Sequence, residues 1–215
     1  MTEIQALKER HSVRNYTEKK IEAEKVAELN KLIAQLNEEG NLNLQFIEEQ
    51  GKTFNKLLNK FMGLGSAPSV IACVGPDDPT LDERVGYFGQ KLVLAAQMMG
   101  LNTCWAGTFN RNTVPAKIGE GERIAIVIAI GYGATQGKVR KTKSAEEVSN
   151  CKADSPEWFK KGVEAAMLAP TAINQQKFKI TLKDDETVDF SDLGGVLSKI
   201  DLGIVKYNFE VGSKA

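Results

Sequence analysis

Three features of the sequence predict a single α+β domain. Apolar residues recur at three-to-four-residue spacing in some stretches, while others run apolar without interruption, so helix and strand patterns alternate along the chain. Neither a low-complexity segment nor a flexible linker divides them. With 215 residues, the chain is long enough to bury one full core.

Residues 2–10 read as a short helix. Across residues 22–39, Val26, Leu29, Ile33 and Leu36 give a helix with one apolar face, closed by Gly40. Residues 43–49 read as a strand and 54–61 as a short helix, ended by Gly63, Gly65 and Pro68. SVIACVG (69–75) is apolar on both faces and bounded by turn residues, as a buried strand would be. After a turn-rich loop at 77–82, Val85, Phe88, Leu92, Ala95 and Met99 mark a helix that ends at Gly100. Its second half, KLVLAAQMM, is apolar almost all round and is expected to cross the core.

Residues 123–130 form the strongest predicted strand, running into GYG. The polar, basic segment 134–154 reads as a surface loop or extended arm. PEWFKKGVEAAMLAP predicts a helix with proline in its first turn and Phe159, Val163, Ala166 and Met167 on one side. FKITLKD (178–184) follows as a strand. The helix–strand pair 22–39/43–49 is faintly echoed in order by 156–168/178–184, although the sequence identity between them is too low to define a repeat.

Composition excludes several classes of function. The 28 basic and 28 acidic side chains cancel, which argues against neutralisation of many phosphates and hence against nucleic-acid binding. The longest apolar run, residues 124–130, is far short of the roughly 20 residues that span a bilayer. The polar N-terminal stretch lacks the apolar core of a signal peptide, so a cytoplasmic location is expected. Three widely spaced cysteines and one histidine offer neither a disulfide framework nor a metal-ligand set. Any redox chemistry here would need an organic cofactor.

The candidate motifs separate on geometry. In RHSVRNY (10–16), His11 and Ser12 are adjacent, and neighbouring side chains do not face one another as a nucleophile and its base must. Arg10 and Arg14, with Ser12 between, instead suit an anion, the alternative being an ordinary charged surface segment. YGATQGKV (132–139) fails as a P-loop twice, with Tyr132 at the first glycine position and Val139 where a hydroxyl would hold magnesium. KVRKTK (138–143) directly follows a strand end and is either an anion site or a solvated loop. APTAINQQ (169–176) offers amide donors and acceptors suited to a heterocycle edge, or is ordinary turn chemistry. LNTCWAGTF (101–109) either brings backbone close to a planar ligand or makes a tight helix-to-strand turn with Trp105 packed.

Taken together and in this order, RHSVRNY, GLNTCWAG, the strand into GYG, KVRK and APTAINQQKFKI resemble the nitroreductase family of flavin enzymes. APTAINQQKF is similar to that family's Ala-Pro-Ser-x-x-Asn-x-Gln-Pro-Trp element, with Lys177 and Phe178 at the Pro-Trp positions. Its late place in the chain, with the tail DLGIVKYNFE (201–210), resembles the "putative nitroreductase" branch, whose second half echoes the first. Asn208 stands where that branch would have a histidine.

The resemblance implies an α+β nitroreductase-like fold with a mixed, mainly antiparallel central sheet flanked by helices. It also implies a homodimer with FMN at the interface. Carried over by position, Arg10, His11, Ser12 and Arg14 would hold the FMN phosphate, ribityl chain and pyrimidine edge. Trp105, Ala106 and Gly107 would lie against the ring, and Lys138 and Arg140 would grip the phosphate. Pro170, Thr171, Ala172, Asn174 and Gln176 would come from the loop supplied across the interface. The implied activity is ping-pong hydride transfer from NADH or NADPH through FMN to a small oxidised acceptor, a nitroaromatic or quinone. No catalytic side chain and no metal are expected, because the flavin performs the chemistry. Two rival expectations are a non-enzymatic flavin- or nucleotide-binding protein of the same fold and an interaction module without cofactor.

Overall fold

The computed structural model describes residues 1–48, 64 and 67–215. The helix expected at 54–61 lies outside the described residues. In chain order the elements are α1 (Glu3–Glu9), α2 (Ala23–Gly40), β1 (Asn43–Ile47), β2 (Ser69–Pro76), α3 (Leu81–Met98), β3 (Asn102–Ala106) and β4 (Glu122–Gly131). They continue with α4 (Ala145–Val148), α5 (Glu157–Ala166), β5 (Phe178–Leu182), β6 (Val188–Asp192) and α6 (Ser198–Ser213). They group into two compact units. One comprises Met1–Glu9, Asp82–Lys91 and Arg140–Ala215; the other comprises Arg10–Leu81 and Leu92–Val139.

The second of these units is built on a four-stranded sheet, ordered β1-β2-β4-β3. Every neighbouring pair in it is antiparallel, so the expectation of a mixed sheet is corrected. Parallel pairing enters at its rim as a bridge between Ser12 and Thr103. Direction was not legible because β2 and β4 are buried along nearly their whole length and read as continuous apolar runs, a pattern that parallel strands share. The core on this sheet gathers Val13, Tyr16, Val70, Ala72, Cys104, Val127 and Ala129.

Helix α2 buries Leu29, Ile33 and Leu36, the face its periodicity predicts. Gly40 is its last residue, and Asn41 beyond it takes the left-handed conformation (φ 47°), its N–H donating to the carbonyl of Asn37. Asn37 also ties α2 to β1: its side chain accepts from Leu44 N at 2.7 Å and donates to Leu44 O at 3.0 Å. The segment 101–109, read above as a loop or turn, contains β3, which pairs with β4 from Asn102 to Ala106. Lying between Gly100 and Gly107 and opening on Asn102 and Thr103, β3 has the composition of a turn.

In the other unit, β5 and β6 form a hairpin. Its turn is closed by Asp185, whose carboxylate accepts from Thr187 N (3.0 Å) and Oγ1 (2.6 Å). The basic segment before it is not all loop: α4 is capped reciprocally by Ser144 and Glu147. Helix α6 is buried almost all round and packs on α5 and the Asp82–Lys91 part of α3. Backbones meet there at glycines. A methyl group on Gly203 would overlap the carbonyl oxygen of Glu83 and lie 2.7 Å from Tyr87 N, and one on Gly86 would strike Ile200 O. Asn208, fully buried, accepts from Gln90 Nε2 at 3.0 Å and donates to Ala165 O at 3.3 Å, so it serves this helix packing.

Candidate functional site

The residues singled out from the sequence fall into two groups, one in each unit. In the sheet unit, the segment Arg10–Thr17 is extended and stitched at several points. Ser12 bridges Thr103, and Val13 N donates to Thr103 O at 3.1 Å. Further on, Tyr16 bridges Gly133, Ala134 N donates to Asn15 O (2.9 Å) and Thr17 N to Tyr132 O (2.8 Å). Asn102 Oδ1 accepts from Gly133 N at 2.9 Å, joining the start of β3 to the end of β4. RHSVRNY therefore lies along the sheet edge, held by backbone bonds, with Val13 and Tyr16 turned into the core.

Arg10 is buried and donates from Nη2 to Ser12 Oγ at 3.4 Å, whereas Arg14 is exposed. Both guanidinium charges act on the same two buried groups. Burial raises the pKa of Cys104 and of Tyr16, and in each case Arg14 and Arg10 pull it back. Gly137 (φ 77°) packs on this segment. A Cβ there would sit 2.8 Å from His11 Cβ and 3.2 Å from Ser12 O, so the glycine is required on both counts. Lys138, the residue after this glycine, is exposed. Trp105 is half-buried on β3, Ala106 buried, and Gly107 exposed where the strand ends. Two arginines and a hydroxyl on one segment, with Lys138 following the glycine packed against it, have the donor chemistry that a phosphate dianion requires. Gly137→Ala should lower stability by about 1–3 kcal/mol through overpacking and displace His11, measurable by thermal unfolding.

The second group surrounds the loop 169–176. Arg140 does not stand free for a phosphate: its guanidinium donates to Asn174 Oδ1 (2.9 Å) and Met167 O (2.8 Å). Lys143 donates from its backbone N to Gln176 Oε1 (3.0 Å) and from Nζ to Gln176 O (2.9 Å). The amides of Asn174 and Gln176 both donate to Lys141 O, at 2.9 and 3.1 Å. Thr171 Oγ1 accepts from Gln176 N at 3.1 Å, and Pro170 is buried. Thus KVRKTK splits in function: Arg140 and Lys143 shape the loop, while Lys138 and Lys141 face solvent.

Asp201, in the first turn of α6, was missed. Its buried carboxylate accepts from Ala172 N on both oxygens (3.0 and 3.1 Å) and from Gln175 Nε2 (2.8 Å). A lone acid heading the apolar run LGIV was the available signal. Burial pushes its pKa up to about 6, against the hydrogen bonds from Gln175 and Ala172; Asp192 adds to the rise and Arg140 opposes it. The folded value lies above the unfolded one, so this group's contribution favours folding at low pH and is lost as pH rises toward and through about 6. The thermal midpoint of Asp201→Asn should therefore gain on wild type between about pH 4 and pH 7, by the equivalent of about 2–3 kcal/mol.

Among the described residues, no group of three His, Cys, Asp or Glu side chains could hold a metal ion, and no helix is long and apolar enough to cross a membrane. The model of the family described as "Putative TM nitroreductase" matches residues 3–213. The chain belongs to this nitroreductase family. Among solved structures, it is similar to a putative nitroreductase from Thermotoga maritima MSB8. The TM-score is 0.71 at 23% identity, covering 97% of this chain and 82% of that one. An FMN-dependent nitroreductase from Clostridium difficile R20291 matches with a TM-score of 0.51 at 20% identity, over 64% of this chain and 91% of that chain. A putative NADH oxidase from Clostridium acetobutylicum gives 0.52 at 20% identity, over 70% and 99%. At these identities the structural likeness carries the fold. No curated protein matches the chain significantly. For this nitroreductase-family chain, the α+β architecture is thus shared with solved relatives, and the resemblance read from its motifs is confirmed at the level of family.

Proposed function

We propose that the chain is an FMN-dependent oxidoreductase using NADH or NADPH. The observation that carries this reading is the pair of arginines on the sheet edge, Arg10 and Arg14 with Ser12, held by backbone pairing, against which Gly137, the residue before Lys138, packs closely. FMN, when bound, would supply the redox chemistry for hydride transfer between a nicotinamide nucleotide and a small oxidised acceptor such as a nitroaromatic or quinone.

The chain's own residues bind, orient and bias charge. Arg10, His11, Ser12 and Lys138 would hold the phosphate and ribityl end, with each charge-assisted bond contributing about 1.5–3 kcal/mol. Arg14 would favour negative charge at the pyrimidine edge. Trp105, Ala106 and Gly107 would border the ring. Pro170, Thr171, Ala172, Asn174 and Gln176 form the loop proposed to reach a cofactor across a homodimer interface, with Arg140 holding that loop in shape rather than touching phosphate.

A visible absorption spectrum of the purified protein, before and after anaerobic addition of NADH and then NADPH, tests this. The expected result is a flavin spectrum, present or restored by added FMN, that bleaches with a nucleotide and returns with a quinone. A colourless protein that takes up no FMN would sink the proposal. FMN uptake without bleaching by either nucleotide would favour a flavin-binding protein without this activity.

A further inference from the structure

We propose that Asp201 is a positioning residue that locks the loop Thr171–Gln176 into the shape it presents to a ligand, and that its carboxylate form is what does so. In this loop Ile173 (φ 47°), Asn174 (φ 57°) and Gln176 (φ 47°) are all left-handed. L-residues avoid that region, and a β-branched residue such as Ile173 does so most strongly, so the conformation persists only where surrounding bonds over-determine it. Ile173 buries nothing to compensate, being 88% exposed.

Two sets of bonds hold the loop. On one side are Arg140, Lys141 and Lys143. On the other is Asp201, with both oxygens on Ala172 N and one on Gln175 Nε2. Gln175 Nε2 also donates to Val196 O at 2.8 Å, and a Cβ at Gly195 (φ 121°) would collide with the Gln175 amide. The carboxylate thus fastens Ala172, just before the left-handed pair Ile173–Asn174, and Gln175, just after it, to the start of α6. The charged groups acting on Asp201 are Asp192, at the end of β6, and Arg140.

The Asp201 carboxylate sits where two donors, the Ala172 N–H and the Gln175 amide, make three contacts to it from one strained loop. The ionised form accepts from both donors; an asparagine offers one acceptor oxygen and sets an NH2 group against Gln175 or Ala172. The consequence for cofactor rests on the FMN reading above, because that reading assigns this loop to FMN.

The test compares wild type, Asp201→Asn and Asp201→Ala at pH 7 by amide hydrogen exchange at residues 172–176, thermal unfolding and FMN titration. Loop protection should fall in the order wild type, Asn, Ala, while the Asn variant melts no lower than wild type. FMN dissociation constants should rise about tenfold for Asn and more for Ala. The proposal is overturned if loop exchange is unchanged in both variants, or if it changes only in step with the global melting temperature. If wild type takes up no FMN, the flavin reading fails, while the exchange order still decides the role of Asp201.

Discussion

Gly203→Ala is expected to lower the thermal midpoint by roughly 6–12 °C, a loss of about 3 kcal/mol. Exposed in a lone helix, the change would help, since alanine favours helix by up to about 1 kcal/mol over glycine. Here the added methyl points at backbone. It would overlap Glu83 O, and it would lie 2.7 Å from Tyr87 N and 2.9 Å from Gly86 Cα. No rotamer change relieves a clash with backbone atoms, so α6 and the facing part of α3 must separate. That separation loosens the contacts that lock this face, including the pairs Lys206–Glu83 and Tyr87–Glu210 and the buried Gln90–Asn208 bond. Circular dichroism melting checks the expectation; a midpoint within about 2 °C of wild type would refute it. Because Asp201 lies two residues before Gly203, the variant should also release the loop at Ala172, visible as faster amide exchange.

The largest effect on ligand binding is expected at the two arginines. Arg10→Met keeps the apolar stem in its buried position while removing the charge, which separates packing from electrostatics. Arg14→Ala removes an exposed charge with little expected cost to stability. Each should raise the FMN dissociation constant about a hundredfold, corresponding to the loss of one or two charge-assisted bonds. Wild-type affinity should itself weaken with salt, and the variants should respond less. His11→Ala should weaken binding by about tenfold or less and leave turnover in place. Equilibrium titration with FMN and steady-state rates measure both. Should His11→Ala bind FMN normally yet be inactive, an acid–base role for His11 would replace the one argued here.

Much of this architecture was legible in the residues. The faces of α2 and α5, and the buried strands β2 and β4, follow from apolar spacing that tertiary packing then exploits. What escaped was of two kinds. Strands β3 and β6 carry turn-forming residues, Asn102 and Thr103 in one and Asp189, Ser191 and Asp192 in the other, which mask them as loop. Helix α6 escaped for the opposite reason: apolar on nearly every side, it has no periodic contrast, and its glycines look like breaks until the helices they admit are known.

The candidate site divided along similar lines. RHSVRNY announced its chemistry because charges and a hydroxyl cluster within seven residues. The roles of Arg140 and Asp201 depend on partners 27 to 34 and 26 to 29 positions away, which no local motif encodes.

The bridge from Ser12 to Thr103 has a consequence for solubility. Strand β3 ends the sheet, and an uncovered strand edge is a template on which another chain can add by hydrogen bonding. Ser12 and Val13 occupy that edge, with the same short segment whose charged neighbours are assigned to ligand. Substitutions that detach residues 10–16 would therefore do two kinds of damage at once, abolishing binding and opening a sticky seam. In such variants, self-association at high protein concentration should accompany the loss of ligand. The segment is both the grip and the guard rail of the sheet.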